Sequence, residues 1–138
     1  MPAEAGQGAR KHGEQSARMT HKEDQMTHFE RLTPAAATPE EERPAPEKLL
    51  AGDPVFTTWN VEEVDGLYCG IWQSTPGKWR ISYDEWEYCR ILEGRSIITS
   101  EDGTEYPLSA GDSFILRPGF KGTWEVLETT RKDYVIRL

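Results

Sequence analysis

Beyond residue 49, apolar residues arrive in short runs of β-branched and aromatic side chains, with no helical period. Turn-forming pairs separate the runs at close, regular spacing: Asp65-Gly66, Pro76-Gly77, Glu93-Gly94, Asp102-Gly103, Gly111-Asp112 and Pro118-Gly119. The pattern predicts strands over 54–60, 67–74, 78–83, 86–93, 95–100, 104–108, 112–117, 122–128 and 131–137. Asp102-Gly103 reads as a two-residue hairpin turn. Many short strands with Gly/Pro punctuation imply an all-β sandwich or closed barrel.

The first 48 residues follow a different pattern. They hold one aromatic residue, Phe29, whereas all five Trp and all five Tyr lie beyond residue 58. A segment this poor in large apolar groups buries too little surface to offset its ordering entropy, so residues 1–48 are expected to be a disordered leader and linker. Residues 40–49 allow one helical turn, but their prolines favour a linker. Met19 and Met26, each followed by Thr-His, mark alternative starts. The folded part, residues 49–138, suffices for a single small core.

Charge narrows the function. The leader carries seven Lys/Arg against nine Asp/Glu and residues 49–138 carry nine against fifteen, within a net charge of −8. An acidic domain repels phosphate backbones, so nucleic acid is not an expected partner. No run approaches the ~18 apolar residues that cross a bilayer, so no membrane is expected either. Cys69 and Cys89, with no secretory leader ahead of them, fit reduced thiols and a cytoplasmic location.

Candidate chemistry clusters in one strand. Alternation puts Glu85, Glu87, Cys89 and Ile91 on one face of 86–93, and Trp86, Tyr88, Arg90 and Leu92 on the other. If the first face is interior, two carboxylates and a thiol converge with the phenol of Tyr83. A buried Glu87 needs a partner, with Arg80, Arg90 and Lys121 as the expected candidates. Cys89 serves equally well as a small buried hydrophobe. Trp79, Trp86 and Trp124 suit a core, an interface or an aromatic ligand platform. Arg131-Lys132-Asp133 reads as a solvated ion-pair face.

The run EWEYCRILEG (85–94), a short hairpin, GDSFILRPGFKGTWEV (111–126) and RKDYV (131–135) together resemble the two-motif signature of the cupins. The resembling branch is that of ureidoglycine aminohydrolase, over about residues 50–138. This resemblance implies a conical jelly-roll β-barrel, usually a homodimer, with a ligand pocket inside. It also implies a metal held by His and Glu, and here the positions fail to match. Glu87 stands at the glutamate position; the upstream histidines would fall at Arg80 and Ser82, or at Ile81 and Tyr83; the second-motif histidine falls at Thr123. The only histidines, His12, His21 and His28, lie in the leader. The ureidoglycine enzymes also resemble two fused barrels, where this chain supplies one.

A divalent catalytic site needs about three protein ligands and an open position, and a carboxylate–thiolate set without imidazole suits the usual metals poorly. The expectation is therefore a cupin that binds a small polar molecule without a His-based metal site. The expected ligand contacts are Trp79, Glu85, Glu87, Thr123 and Trp124; Glu87, Tyr83 and Cys89 are candidate catalytic groups. No cofactor is assigned, and Glu87 is the metal ligand only if a divalent ion binds. Two alternatives stand beside this: a ureidoglycine aminohydrolase-like enzyme, metal-dependent or using metal-free acid–base chemistry, and a homodimeric accessory protein.

Overall fold

Beyond residue 39, every regular element in the computed structural model, which describes residues 28–138, is a β-strand. In chain order these are β1 Glu40–Glu42, β2 Leu49–Gly52, β3 Phe56–Val64, β4 Leu67–Ser74 and β5 Gly77–Ser82. Then follow β6 Trp86–Ser100, β7 Glu105–Ser109, β8 Ser113–Leu116 and β9 Lys121–Arg137. Among the described residues the only helical element is a 3-10 turn, Pro34–Ala36. The all-β architecture expected from the turn spacing is present.

Two pairs of expected strands are each a single long strand. The segments 86–93 and 95–100 join as β6, and 122–128 and 131–137 join as β9. Glu93-Gly94 does not reverse the chain; it is a bulge, with register shifts against β9 on both sides of Arg95. Gly94 sits at φ +92, and a Cβ there would lie 2.1 Å from the Thr129 carbonyl oxygen. Only glycine satisfies both the positive φ and that close approach. Elsewhere the turn chemistry holds. Asp65 and Gly66 both have positive φ, as a type I′ turn requires, and join β3 to β4. The loop at Asp102-Gly103 has three residues rather than two. Gly103 takes the positive φ, and Ser100 donates its amide to the Thr104 carbonyl at 2.8 Å.

The bulge in β6 folds one sheet over on itself. The N-terminal half of β6 pairs with β8 and with the C-terminal half of β9, which pairs in turn with β4. The C-terminal half of β6 pairs with β7 and with the N-terminal half of β9, which continues to β5. The result is two facing layers that share two bent strands, a jelly-roll barrel. Between the layers lie Phe56, Trp72, Trp79 and Trp124, with Trp72 and Trp124 centroids 5.4 Å apart. A buried Trp removes roughly 150–250 Å² from water, about 4–6 kcal/mol at ~25 cal/mol/Å² before ordering entropy is counted.

The expected boundary at residue 49 lies too late. β1, within the expected leader, pairs antiparallel with β3 from Glu40↔Thr58 to Glu42↔Phe56. Pro39 and Pro44 flank it and favour extended backbone, and its three glutamates give an edge strand that resists pairing with other chains. The expectation of disorder for residues 1–27 falls outside the described residues.

Candidate functional site

β6 and β9 carry the site because their inward faces meet in the barrel. In β9, Trp124, Val126, Thr130, Lys132, Tyr134 and Ile136 are all buried. In β6, Glu87, Cys89 and Ile91 are. Lys132 is in register with Ile91, and its side chain runs along β6 past Cys89 to Glu87. The Lys132 ammonium donates to Glu87 Oε2 at 3.0 Å and to Cys89 Sγ at 3.4 Å. Both partners of this ion pair are 0 % exposed. The Tyr83 hydroxyl donates to the other carboxylate oxygen, Oε1, at 2.7 Å. Tyr83 itself is held by two backbone bonds to the 117–120 turn, with Gly119 N donating to its carbonyl and its own N–H donating to Phe120 O. The Lys132 charge also lies 4.8 Å and 4.6 Å from the ring centres of Trp72 and Trp124, a favourable cation–π arrangement.

Electrostatics follow from this geometry. Burial pushes the Glu87 carboxyl upward, but positive charge and hydrogen bonds, those of the Lys132 ammonium foremost, hold it below its ordinary value. Glu87 is therefore ionised at neutral pH. Burial, with the Glu87 charge added, pushes the Cys89 thiol up to about 12 against the pull of Lys132. Burial likewise raises the Tyr134 hydroxyl well above its usual range, and that hydroxyl donates to Asn60 Oδ1 at 2.6 Å.

Of the expected site residues, Tyr83, Glu87 and Cys89 come together as one network. Trp79 and Trp124 lie in the same interior, stacked at 6.3 Å between centroids and 4° between planes. Glu85 is buried but belongs to the turn before β6, where Oε1 accepts from the Asp84 amide at 3.1 Å. Thr123 does not join the group. It is the neighbour of inward Trp124, so strand alternation turns it to the outer face, where it lines a shallow depression with Arg80 and Lys121. Counting from Pro118 located the strand but missed its parity.

The partner of Glu87 is none of the three expected basic residues. Lys132, read as part of a solvated face, is the centre of the network because β9 is continuous. Counting by twos within 131–137 sets Lys132 on one face with Tyr134 and Ile136, the inward side. Trp72 carries no comparable sequence mark.

This donor set does not fit a metal. Ile81 offers no ligand atom, Thr123 faces outward, and Tyr83 spends its proton on Glu87. An ammonium 3.0 Å from the surviving glutamate puts a positive charge where a divalent ion would bind. Among the described residues no group of three or more His, Cys, Asp or Glu is placed to hold a metal ion.

Beside the network a cleft of about 620 Å³ opens between β7 and β8. Ile98, Leu108, Phe114, Leu116 and Phe120 form its apolar wall, with Tyr106, Asp112 and Arg117 around them. Leu116 and Phe114 are in register with Glu87 and Cys89, and the Phe114 ring lies 6.2 Å from Trp124. The indole N–H groups of Trp72, Trp79 and Trp124 are buried without a hydrogen-bond partner. Each such orphan donor costs on the order of 1–3 kcal/mol when nothing receives it.

A jelly roll of two layers sharing bent strands, with its polar centre inside the barrel, is the architecture of a cupin. The profile of the EutQ-like cupin domain matches residues 61–134, more than half of the chain, and the chain belongs to that family. A DUF861-family protein of unknown function from Pseudomonas syringae pv. tomato superposes with a TM-score of 0.68 at 26% identity, over 76% of this chain and 46% of that one. This chain thus spans about half the length of that relative. The EutQ protein of Clostridium difficile shares the fold at TM-score 0.56 and 20% identity, covering 61% of this chain and 68% of its own. Ectoine synthase from P. lautus does so at 0.55 and 18%, covering 59% and 63%. No curated protein matches the sequence. The family stands at the level of the EutQ-like cupin; the ureidoglycine aminohydrolase resemblance remains a sequence expectation. No helix among the described residues is long and apolar enough to cross a membrane.

Proposed function

We propose that this chain is a metal-independent cupin that binds a small polar molecule inside its barrel, entering by the cleft between β7 and β8. The observation that supports it most is the buried Glu87–Lys132 pair beside an open, apolar-walled cleft. A core built for stability alone has no use for that pair, since apolar residues of similar volume are commonly as good or better there. The pair lies one strand from the cleft, with Glu87 in register with the cleft residue Leu116. The cleft walls supply apolar area, and Tyr106, Asp112 and Arg117 supply a few directional polar groups, the usual division in small-molecule sites.

Acid–base catalysis of the ureidoglycine aminohydrolase type is the weaker reading. It asks for a base poised near neutral pH, whereas Glu87 is held below its ordinary value and Cys89 is pushed up to about 12. A homodimeric assembly fits alongside the binding role. Cys69, Val135, Tyr88 and Ile115 lie in register across β4, β9, β6 and β8 on the outer face, a partly exposed apolar row suited to a second copy.

The test is thermal stabilisation of the full chain by small carboxylates, amides, polyols and amines. A ligand at 100 times its Kd adds about 2.7 kcal/mol, which for a domain of this size raises Tm by roughly 10–20 °C. The expected result is stabilisation by one chemical class, abolished by Leu108→Trp in the cleft wall. If no class moves Tm at millimolar concentration, the binding role is wrong.

A further inference from the structure

The outer face of β5, β9 and β6 reverses the sign of the domain. Beyond residue 48 the chain holds fifteen Asp/Glu against nine Lys/Arg. Yet a depression of about 540 Å³ on this face is lined by Lys48, Arg80 and Lys121 and by one carboxylate, Glu101. Strand register brings the group together. Arg80, Thr123 and Thr99 lie side by side across β5, β9 and β6, and Ser82 and Lys121 form the next pair on the same face. Cross-strand neighbours of this kind stand about 5 Å apart. Lys48 is tied to the row through its carbonyl, which accepts the Arg80 N–H at 2.9 Å.

Little in the fold answers these charges. Among the described residues, ion pairs join Arg43 to Asp53, Arg95 to Glu128 and Lys132 to Glu87, and no ion pair or side-chain hydrogen bond engages Lys48, Arg80, Lys121 or Glu101. The hydroxyls of Ser82, Thr99 and Thr123 are likewise free to donate, whereas that of Ser100 donates to Asp102. Like charges on neighbouring strands repel, and an anion seated among them relieves that repulsion. A guanidinium fork, ammonium point charges and hydroxyl donors together suit an anion with several oxygens, held by charge-assisted hydrogen bonds.

We propose that this outer depression is a binding site for the phosphate group of a small molecule, separate from the cleft between β7 and β8. Three cations against one carboxylate are balanced by a dianion and only half balanced by a carboxylate ligand. Acids border the patch: Glu105 is in register with Thr99, and Glu125 is the next residue after Thr123 on the same face of β9. A small phosphate therefore fits within the border, while a long polyanion such as nucleic acid meets repulsion past its first phosphate.

The experiment follows the backbone amides of the 15N-labelled full chain by NMR at constant ionic strength and about pH 8, where a phosphate monoester is dianionic. The probes are inorganic phosphate, glycerol 3-phosphate, acetate and a DNA oligonucleotide. The expected result is saturable shifts with both phosphate probes, centred on Arg80, Ser82, Thr99, Lys121 and Thr123, and none with acetate at the same concentrations. Whichever phosphate probe saturates first separates free phosphate from a phosphate monoester as the occupant. Arg80→Gln and Lys121→Gln, both exposed and so mild for the fold, each raise the apparent Kd by roughly tenfold or more. Lys78→Gln, on the same face of β5 but outside the depression, raises it far less, and Leu108→Trp in the cleft leaves it unchanged. Four outcomes overturn the proposal: no saturable shift in the depression with either phosphate, acetate saturating as readily as phosphate, equal weakening by Lys78→Gln and Lys121→Gln, or the oligonucleotide binding more tightly than glycerol 3-phosphate. The cleft stands or falls separately, on its own ligands and on Leu108→Trp.

Discussion

Removing the Lys132 ammonium while keeping its stem, as in Lys132→Met, takes from the buried Glu87 carboxylate the foremost of the positive charges that keep it ionised. Breaking one side of a fully buried pair costs about 3–5 kcal/mol, a large share of the 5–15 kcal/mol that holds an ordinary domain together. At roughly 4–8 °C per kcal/mol for a domain near this size, Tm falls by about 15 °C or more. Glu87→Gln incurs a similar cost from the other side, stranding the ammonium between two indole rings. The double variant Glu87→Leu/Lys132→Met removes both charges together and refills the volume, so it recovers most of the loss and reaches wild-type stability or above. The assay is urea unfolding of the four proteins followed by tryptophan fluorescence, with free energies compared at fixed slope. The reasoning is refuted if the double variant loses the sum of the two single losses, because two charges 3.0 Å apart with no solvent exposure must couple. If the pair serves a ligand, the stable double variant also loses binding, which separates function from folding.

Three further outcomes follow from the same geometry. Glu87 has its pKa lowered in the folded state, so its contribution is complete above the unfolded value of about 4.3 and is lost as pH falls through the folded value. Unfolding between pH 6 and pH 2 should therefore show a steeper acid loss in the wild type than in Glu87→Gln. Asp102, held near about 2 by hydrogen bonds from Ser100 and Thr104, titrates in both proteins and cancels in the difference. Equal slopes would contradict the assignment. The thiols, pushed up to about 12 at Cys89 and about 11 at Cys69, should resist iodoacetamide at pH 8, with Cys89 slowed by roughly three orders of magnitude or more relative to a free thiol. Both should react in 6 M guanidinium (about the concentration that unfolds small domains), and quick native labelling of Cys89 would count against its burial. Finally, Gly94→Ala forces a positive φ and a clash with the Thr129 carbonyl, costing roughly 1–3 kcal/mol from the backbone alone and lowering Tm by about 5–15 °C. An unchanged melt would mean that the bulge tolerates a side chain.

The strand class, most turn positions and the candidate trio Tyr83, Glu87 and Cys89 were legible in the residues, because period-two alternation and glycine chemistry are local properties. Lys132 shows where local reading stops. Beside Arg131 and Asp133 it resembles solvated surface, although alternation puts it on the face of Tyr134 and Ile136. Period-two counting gives its face, but only the packed barrel shows that this face is inward and that Glu87 receives the ammonium there. Thr123 failed for a related reason: a spacing rule carries a residue to the right strand, but one step of parity turns it to the other face.

Sequence alone determined an all-β sandwich or barrel from turn residues and strand composition, and its resemblance to the cupin motifs showed that beyond His28 no histidine stands at the positions of an ordinary cupin metal site. Tertiary structure alone decided what fills that centre. A lysine 45 residues from Glu87 along the chain enters the barrel because two long strands pair in one register, and only there does the low dielectric make a glutamate and an ammonium necessary to each other. The same closure buries three indole N–H groups that the sequence shows merely as tryptophans. Which donors lack an acceptor is a property of the packed interior, not of any residue by itself.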